Sequence, residues 1–310
     1  MASLVSSSAS VIALSLVTLS FFQGAVAGVT FTFTNRCGGT VWPGVLANSG
    51  SSPLQTTGFA LGAGETRSLT APAGWSGRFW ARTGCAFDAS GKGSCATGDC
   101  GSGEVECHGE GAAPPATLAE FTLGGSGGKD YYDVSLVDGY NLPMVVEAAA
   151  PGCPVTGCLV DLNEQCPAEL RAGQGQARAC RSACEAFGSP EYCCSGQFGN
   201  PDTCRPSVYS QVFKAACPRS YSYAYDDATS TFTCTGTDYS ITFCPPRAGT
   251  PSSQKATKDP SPRPNDVQLQ GDSWLASLAT GEMDGATSTA VASLRLPAAL
   301  AAAAVVALLV

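Results

Sequence analysis

Residues 91–107 read GKGSCATGDCGSGEVEC. Cys95, Cys100 and Cys107 stand close together, with glycine at most of the gaps and Asp99 against the middle thiol. Such a cluster is a metal site, a redox centre or a covalent staple, and the surrounding chain decides which. All 16 cysteines fall between Cys37 and Cys244, and His108 is the single histidine. Residues 11–22 form an apolar run too short to span a bilayer comfortably, and Ala25-Val26-Ala27 supplies the small-residue pattern of a secretory cleavage point. Residues 1–27 are therefore expected to be a signal peptide, although the run is not preceded by Lys or Arg. An even, dense cysteine set in a secreted chain implies disulfides. Zinc would need reduced thiols, and one histidine among paired cysteines supports neither a Ser-His-Asp nor a Cys-His system. No metal and no cofactor is expected, and the stretch reads as a staple.

Working outward, short runs alternate apolar and polar residues. VTFTFTN, residues 29–35, puts Val29, Phe31 and Phe33 on one face and the threonines on the other, the period of a half-buried strand. GRFWART (77–83), TLAEFTL (117–123), DYYDVSLV (130–137) and YNLPMVVEA (140–148) are similar, and turn-forming residues separate them. STFTCTGTDYSITFC (230–244) predicts a hairpin with a glycine-containing turn. These parts read as a β-sandwich or barrel. Between Cys153 and Cys217 the text changes. ARACRSACEAFG (177–188) spaces Ala177, Cys180, Cys184 and Phe187 as a helix that ends on Gly188. PSVYSQVFKAACP (206–218) predicts a second helix, with Pro206 in its first turn and Pro218 stopping it. A helix-and-loop subdomain over about 153–217, held by cross-links, follows. Adjacent Cys193 and Cys194 are expected to take different partners.

Residues 28–247 contain 13 Lys and Arg against 20 Asp and Glu. That acidic balance argues against nucleic acid, whose phosphates need cations, and leaves a neutral polysaccharide open. After Cys244 the chain becomes rich in Pro, Ser and charge, so residues 247–286 read as a disordered linker. Small residues then cluster at Asp284-Gly285-Ala286, a spacer follows over 287–295, and an apolar run closes the chain at 296–310. This order is expected of a GPI-attachment signal, with Asp284 the attachment site, Gly285 or Ala286 its alternatives, and 287–310 removed. The mature protein would then be extracellular, held on the outer membrane leaflet through lipid.

The opening stretch matches the thaumatin signature G-x-[GF]-x-C-x-T-[GA]-D-C-x(1,2)-[GQ]-x(2,3)-C at every fixed position. GRFWARTGC, TLAEF, DYYDVSLVDGYNLPM, QCPAELR, EYCC and YSYAYDDATSTFTC also resemble that family's blocks, in its order. The chain is thus identified as resembling the thaumatin-like proteins of plants, the osmotin-like pathogenesis-related group 5, over residues 28–246. The resemblance implies a mainly β fold: a flattened antiparallel β-sandwich, a disulfide-rich α/loop subdomain and a small loop subdomain. It also implies the pairs Cys37–Cys244, Cys85–Cys95, Cys100–Cys107, Cys153–Cys234, Cys158–Cys217, Cys166–Cys180, Cys184–Cys193 and Cys194–Cys204.

Carried over residue by residue, the resemblance further implies an acidic cleft of Arg82, Glu120, Asp133, Asp138 and Asp226, with Asp227 adjoining the last. Clustered carboxylates can bind sugar hydroxyls, with aromatic faces nearby; Phe79, Trp80, Tyr131, Tyr132, Tyr140 and Tyr223 are available. Two of them can instead act on a glycosidic bond, with Glu120 as the acid and Asp133 as its partner. Arg82 would balance their charge. Asp99 reads as structural, holding its turn by side-chain to backbone bonds. The function expected is a monomeric cell-surface or secreted defence protein that binds β-1,3-glucan and acts against fungi. Its alternatives are a weak endo-β-1,3-glucanase and a tethered interaction or signalling module, and binding is preferred to catalysis.

Overall fold

The computed structural model describes residues 28–246 apart from 174, 176 and 177. The expected signal peptide, linker and GPI-attachment signal, Asp284 included, lie outside the described residues. Among those described, no helix is long and apolar enough to cross a membrane.

The principal strands are β1 (Val29–Asn35), β2 (Trp42–Ala47), β3 (Thr66–Ala71), β4 (Ser76–Arg82), β5 (Leu118–Thr122), β6 (Asp130–Ser135), β7 (Met144–Ala148), β8 (Thr156–Cys158), β9 (Phe232–Cys234) and β10 (Tyr239–Phe243). They form two five-stranded sheets, in the orders β8-β7-β10-β1-β3 and β9-β6-β5-β4-β2. Each sheet turns one set of alternate residues inward. Phe31 and Phe33 from β1 meet Phe79 of β4, with Phe31 and Phe79 ring centroids 4.8 Å apart and both side chains fully buried. Phe121 and Tyr239 continue this aromatic core, with centroids 5.1 Å apart. The outward face of β1 is threonine, and Thr32 Oγ1 lies 3.1 Å from Ser68 Oγ on β3. The strand alternation expected from the sequence is thus the alternation observed, and the fold is the mainly β sandwich.

The expected hairpin over 230–244 does not form. β9 pairs with β6 in one sheet, whereas β10 pairs with β1 and β7 in the other. The turn between them carries the chain across the sandwich, and Asp238 Oδ1 accepts from the Thr30 backbone N–H at 2.7 Å, seating it against β1. Phe232 pairs opposite Tyr132 within one sheet while Tyr239 packs on Tyr132 from the other, and these contacts outweigh pairing of the two segments with each other. β1 and β10 run parallel, with Asn35 opposite Phe243. Their following residues leave at the same end, which brings Cys37 and Cys244 to a Cα separation of 5.0 Å.

Eight disulfides join the pairs that the resemblance implies. Cys193 and Cys194 part ways, to Cys184 and Cys204. The helical subdomain has its own small core, in which Leu136, Leu162, Leu170 and Phe213 pack around Cys158, Cys166, Cys180 and Cys217. Its helices are α1 (Ala183–Phe187), α2 (Pro190–Cys193) and α3 (Val208–Ala216), and α4 (Asp227–Ser230) follows. The first expected helix is shorter than its spacing suggests. Ala179 and Cys180 pair as a strand with Arg171 and Ala172, and the helix starts only after Ser182, whose side chain accepts from the Glu185 N–H. Gly188 closes it with φ of 65°, a left-handed position that suits glycine. Ser207 caps α3, so Pro206 stands just before the helix rather than in its first turn.

The opening stretch folds over the end of β4. Asp99 accepts from the backbone N–H groups of Cys95 and Gly101 at 2.9 and 3.1 Å. Beneath it lies Arg82.

Candidate functional site

The outward face of the second sheet carries the chemistry. Arg78 on β4 lies opposite Glu120 on β5, and Glu120 lies opposite Asp133 on β6. Register alone therefore places one cation and two carboxylates in a row across three neighbouring strands. Cβ atoms so opposed stand about 4.5–5.5 Å apart. An Arg78 Nη2 contacts Glu120 Oε1 at 3.4 Å. The turn after β6 adds Asp138. The segment that runs beside the end of β6, where Leu136 N–H donates to Tyr221 O, adds Tyr221 and Asp227 from the opposite side. The Tyr221 hydroxyl donates to Asp227 Oδ1 at 2.9 Å, and Tyr131 forms another part of the wall. Together they enclose an open groove of about 380 Å3.

Of the expected cleft residues, Glu120, Asp133 and Asp138 converge here. Arg82 does not. It lies on the same face of β4 as Arg78, four residues along, but the cysteine-rich stretch covers that end of the strand. Its side chain is fully buried and donates to the carbonyls of Trp42 at 3.0 Å and Val105 at 2.6 Å. Arg78 takes its place in the groove. Asp226 is also spent elsewhere. Its carboxylate pairs with Lys214 Nζ at 2.9 Å and accepts from the Ser222 N–H and hydroxyl, fastening this segment to α3. Its neighbour Asp227 lines the groove. Four of the six aromatic faces offered by the sequence, Phe79, Trp80, Tyr132 and Tyr140, are core residues. Tyr131 reaches the groove, and Tyr223 lies beside it, in a hollow of the helical subdomain.

Electrostatics separate the paired carboxylates. Burial pushes Asp133 well above the ordinary carboxylate range; Glu120 adds to this, Arg78 opposes it, and Asp227 adds again. Asp133 Oδ1 is shut off from solvent without a hydrogen-bond partner. Glu120 is raised too, first by burial, but the Arg78 guanidinium beside it holds it back. Asp133 is thus the more strongly raised of the two, and Glu120 is the one in contact with the Arg78 cation.

A stability prediction follows with a definite sign. Asp133 holds its proton in the folded state at pH values where the unfolded chain has lost it. The stability this confers is present below the usual carboxylate range and is lost as pH rises through the native value. Asp133→Asn removes the cost of re-protonating this carboxylate on folding. Its Tm exceeds that of the parent protein by about 2–4 °C near neutral pH, the shift that roughly 1 kcal/mol gives in a domain of this size. The difference closes in acid. Calorimetry across pH checks this, and a variant that melts below the parent at neutral pH refutes it.

Comparison with known proteins agrees with this architecture. Residues 35–245 match the family model described as the Thaumatin family. Thaumatin-like protein 1 of Arabidopsis thaliana is 64% identical over 227 residues, covering 70% of this chain and 86% of that protein. The pathogenesis-related thaumatin-like protein 3.5 of Cryptomeria japonica is 59% identical over 228 residues, covering 72% and 93%. A glucan endo-1,3-beta-glucosidase of Prunus avium is 51% identical over 240 residues, covering 76% and 97%. With the signature stretch folded as a staple over the sandwich and the matched region spanning nearly all of the described residues, the chain belongs to the thaumatin family.

Proposed function

We propose that the protein is an extracellular defence protein that binds β-1,3-glucan along the groove of Arg78, Glu120, Asp133, Asp138 and Asp227. The observation that carries the reading is the cross-strand row Arg78–Glu120–Asp133 on an open, rigid sheet face. Carboxylates in this setting accept hydrogen bonds from sugar hydroxyls, Arg78 donates to them, and Tyr131 and Tyr221 offer ring faces. A net negative wall suits a neutral glucan and repels anionic polysaccharides. The relatives' names support the same reading: one is called pathogenesis-related, another a glucan endo-1,3-beta-glucosidase. The lipid anchor expected at Asp284 would hold the groove at the outer face of the cell.

Hydrolysis is the second reading, and the contrast between the two neighbouring carboxylates favours it. Asp133 would donate its proton to the leaving oxygen as the glycosidic bond breaks, and Glu120, held by Arg78, would meet the charge that develops on the sugar. Water would then add at the anomeric carbon and return a proton to Asp133.

The test is retention on insoluble β-1,3-glucan, with oligosaccharide release measured in the same samples. The protein is retained, and Glu120→Ala lowers its affinity by about tenfold, as the loss of one charge-assisted hydrogen bond of roughly 1.4 kcal/mol would. Release that disappears in Asp133→Asn while retention persists establishes the enzyme. Neither retention nor release leaves the tethered interaction module. On cells carrying the full chain, a phosphatidylinositol-specific phospholipase transfers the glucan binding to the medium; binding that stays with the cells counts against the lipid anchor.

A further inference from the structure

The helical subdomain holds a second hollow of about 350 Å3, framed by α1, α2, α3 and the segment at 222–224. Val137, Asp138 and Ala224 line both this hollow and the acidic groove, so the two adjoin. Each alone is near the small end of the roughly 300–1,000 Å3 usual for ligand pockets. Joined at Asp138, they make one elongated track.

The lining chemistry is that of a sugar site. Tyr192, Tyr209 and Tyr223 contribute rings, and Glu185 and Asp138 contribute carboxylates. Tyr192 and Tyr209 meet edge to face with centroids 5.9 Å apart. Phe187 braces both, at 5.6 and 5.3 Å. The Tyr209 hydroxyl is tied to Glu169 Oε1 at 3.0 Å. The rings are thus held in place before any ligand arrives, which lowers the ordering cost of binding. Ser182 fixes the start of α1 through the Glu185 N–H, yet Glu185 Oε2 is buried without a hydrogen-bond partner. Burial pushes Glu185 up to about 7, against the pull of Arg181 and with a further push from Asp138. That carboxyl both donates and accepts hydrogen bonds around neutral pH, as alternating sugar oxygens and hydroxyls require.

We infer that this hollow is a second subsite for the same neutral glucan chain, seating the sugar residues that extend past Asp138 from the acidic groove. The inference rests on the glucan reading of that groove. A hydroxylated ring suits walls where aromatic faces alternate with carboxylates. A purely apolar ligand would leave those carboxylates desolvated and unpaired, and an anionic polymer would meet more carboxyl groups, from Asp138, Glu185 and Glu191, than cations, of which the lining holds Arg205.

The test is calorimetric binding of linear β-1,3-gluco-oligosaccharides from disaccharide to heptasaccharide. Affinity keeps rising after the acidic groove is filled. Tyr209→Ala weakens the longest oligomers by about tenfold, equivalent to roughly 1.4 kcal/mol, and leaves the disaccharide unchanged. Tyr209→Phe, which keeps the ring, retains the length increment. Glu185→Gln keeps the shape, lowers long-oligomer affinity several-fold, and provides the reading if Tyr209→Ala does not fold. An affinity that levels off at the shortest bound oligomer overturns the second subsite and leaves the groove's reading intact. So does a loss in Tyr209→Ala that is equal at every length. Absence of binding at all lengths in the parent protein overturns both.

Discussion

Arg82→Met destabilises the protein by about 3–5 kcal/mol, the usual cost of removing one side of a buried, hydrogen-bonded charge cluster, while the molecules that remain folded bind glucan as before. The guanidinium donates to Trp42 O and Val105 O, and to Glu104 O at 3.4 Å. Methionine fills much of the volume but leaves those carbonyls without a donor, at about 1–3 kcal/mol for each that cannot reach water. The fit is close: a Cβ on Gly58 would stand 2.7 Å from Arg82 Nη2 and 2.2 Å from Val105 O. Burial lowers the Arg82 pKa to about 10, and the negative charges of Asp99 and Glu106 oppose that fall. The side chain therefore stays charged at neutral pH, and its loss also leaves those two carboxylates without their cation. Arg78→Met behaves in the opposite way. Arg78 is partly exposed and contacts Glu120, so its loss weakens glucan binding and changes Tm by only a few degrees. Denaturant unfolding with disulfides intact, run beside retention on glucan, separates the two variants. Equal melting of Arg82→Met and parent, with lost binding, would return Arg82 to the groove.

The second large effect is expected at the chain ends. The double variant Cys37→Ser/Cys244→Ser loses roughly 4 kcal/mol, close to what the chain-entropy model assigns to a loop of about 100 residues. The sequence separation of this bridge is 207, but the other disulfides already shorten the loop it closes. Two strands depend on it. β1 and β10 pair in parallel at the centre of their sheet, and the bridge closes the end where both chains leave. Tm falls by about 8–16 °C at 2–4 °C per kcal/mol. Removing Cys85–Cys95, with a separation of 10, costs less. Equal losses from the two bridges would refute the loop-length argument.

Much of the fold was legible because it depends on local periodicity. Val29, Phe31 and Phe33 had to share a face, and so did Phe79 and Ala81, whatever else surrounded them. The C-terminal cap at Gly188 was legible for the same reason, since only neighbouring residues set it. The hairpin over 230–244 was misread because a strand, a short turn and a strand look alike whether the two strands pair or face each other across a core. The helix start before Cys180 was misread because the cysteine and alanine spacing also fits a short ribbon with Arg171 and Ala172, and Ser182 decides between them by capping.

The candidate site divides along the same line. By itself the sequence determined that the chain carries 16 cysteines and that the opening stretch is a staple, whereas it was the family resemblance that grouped Glu120, Asp133 and Asp138 with Arg82 and Asp226. The sequence also determined the face of each strand residue, since alternation leaves no choice. Tertiary structure decided which end of a face is open. Arg78 and Arg82 are equivalent by periodicity, yet the disulfide-bonded loop covers one, and register aligns the other with Glu120. Asp226 and Asp227 are adjacent in sequence, yet Lys214 on α3 claims the first and Tyr221 turns the second to the groove. The partners that make these choices arrive from distant parts of the chain, and no local pattern records which of two neighbours they will meet.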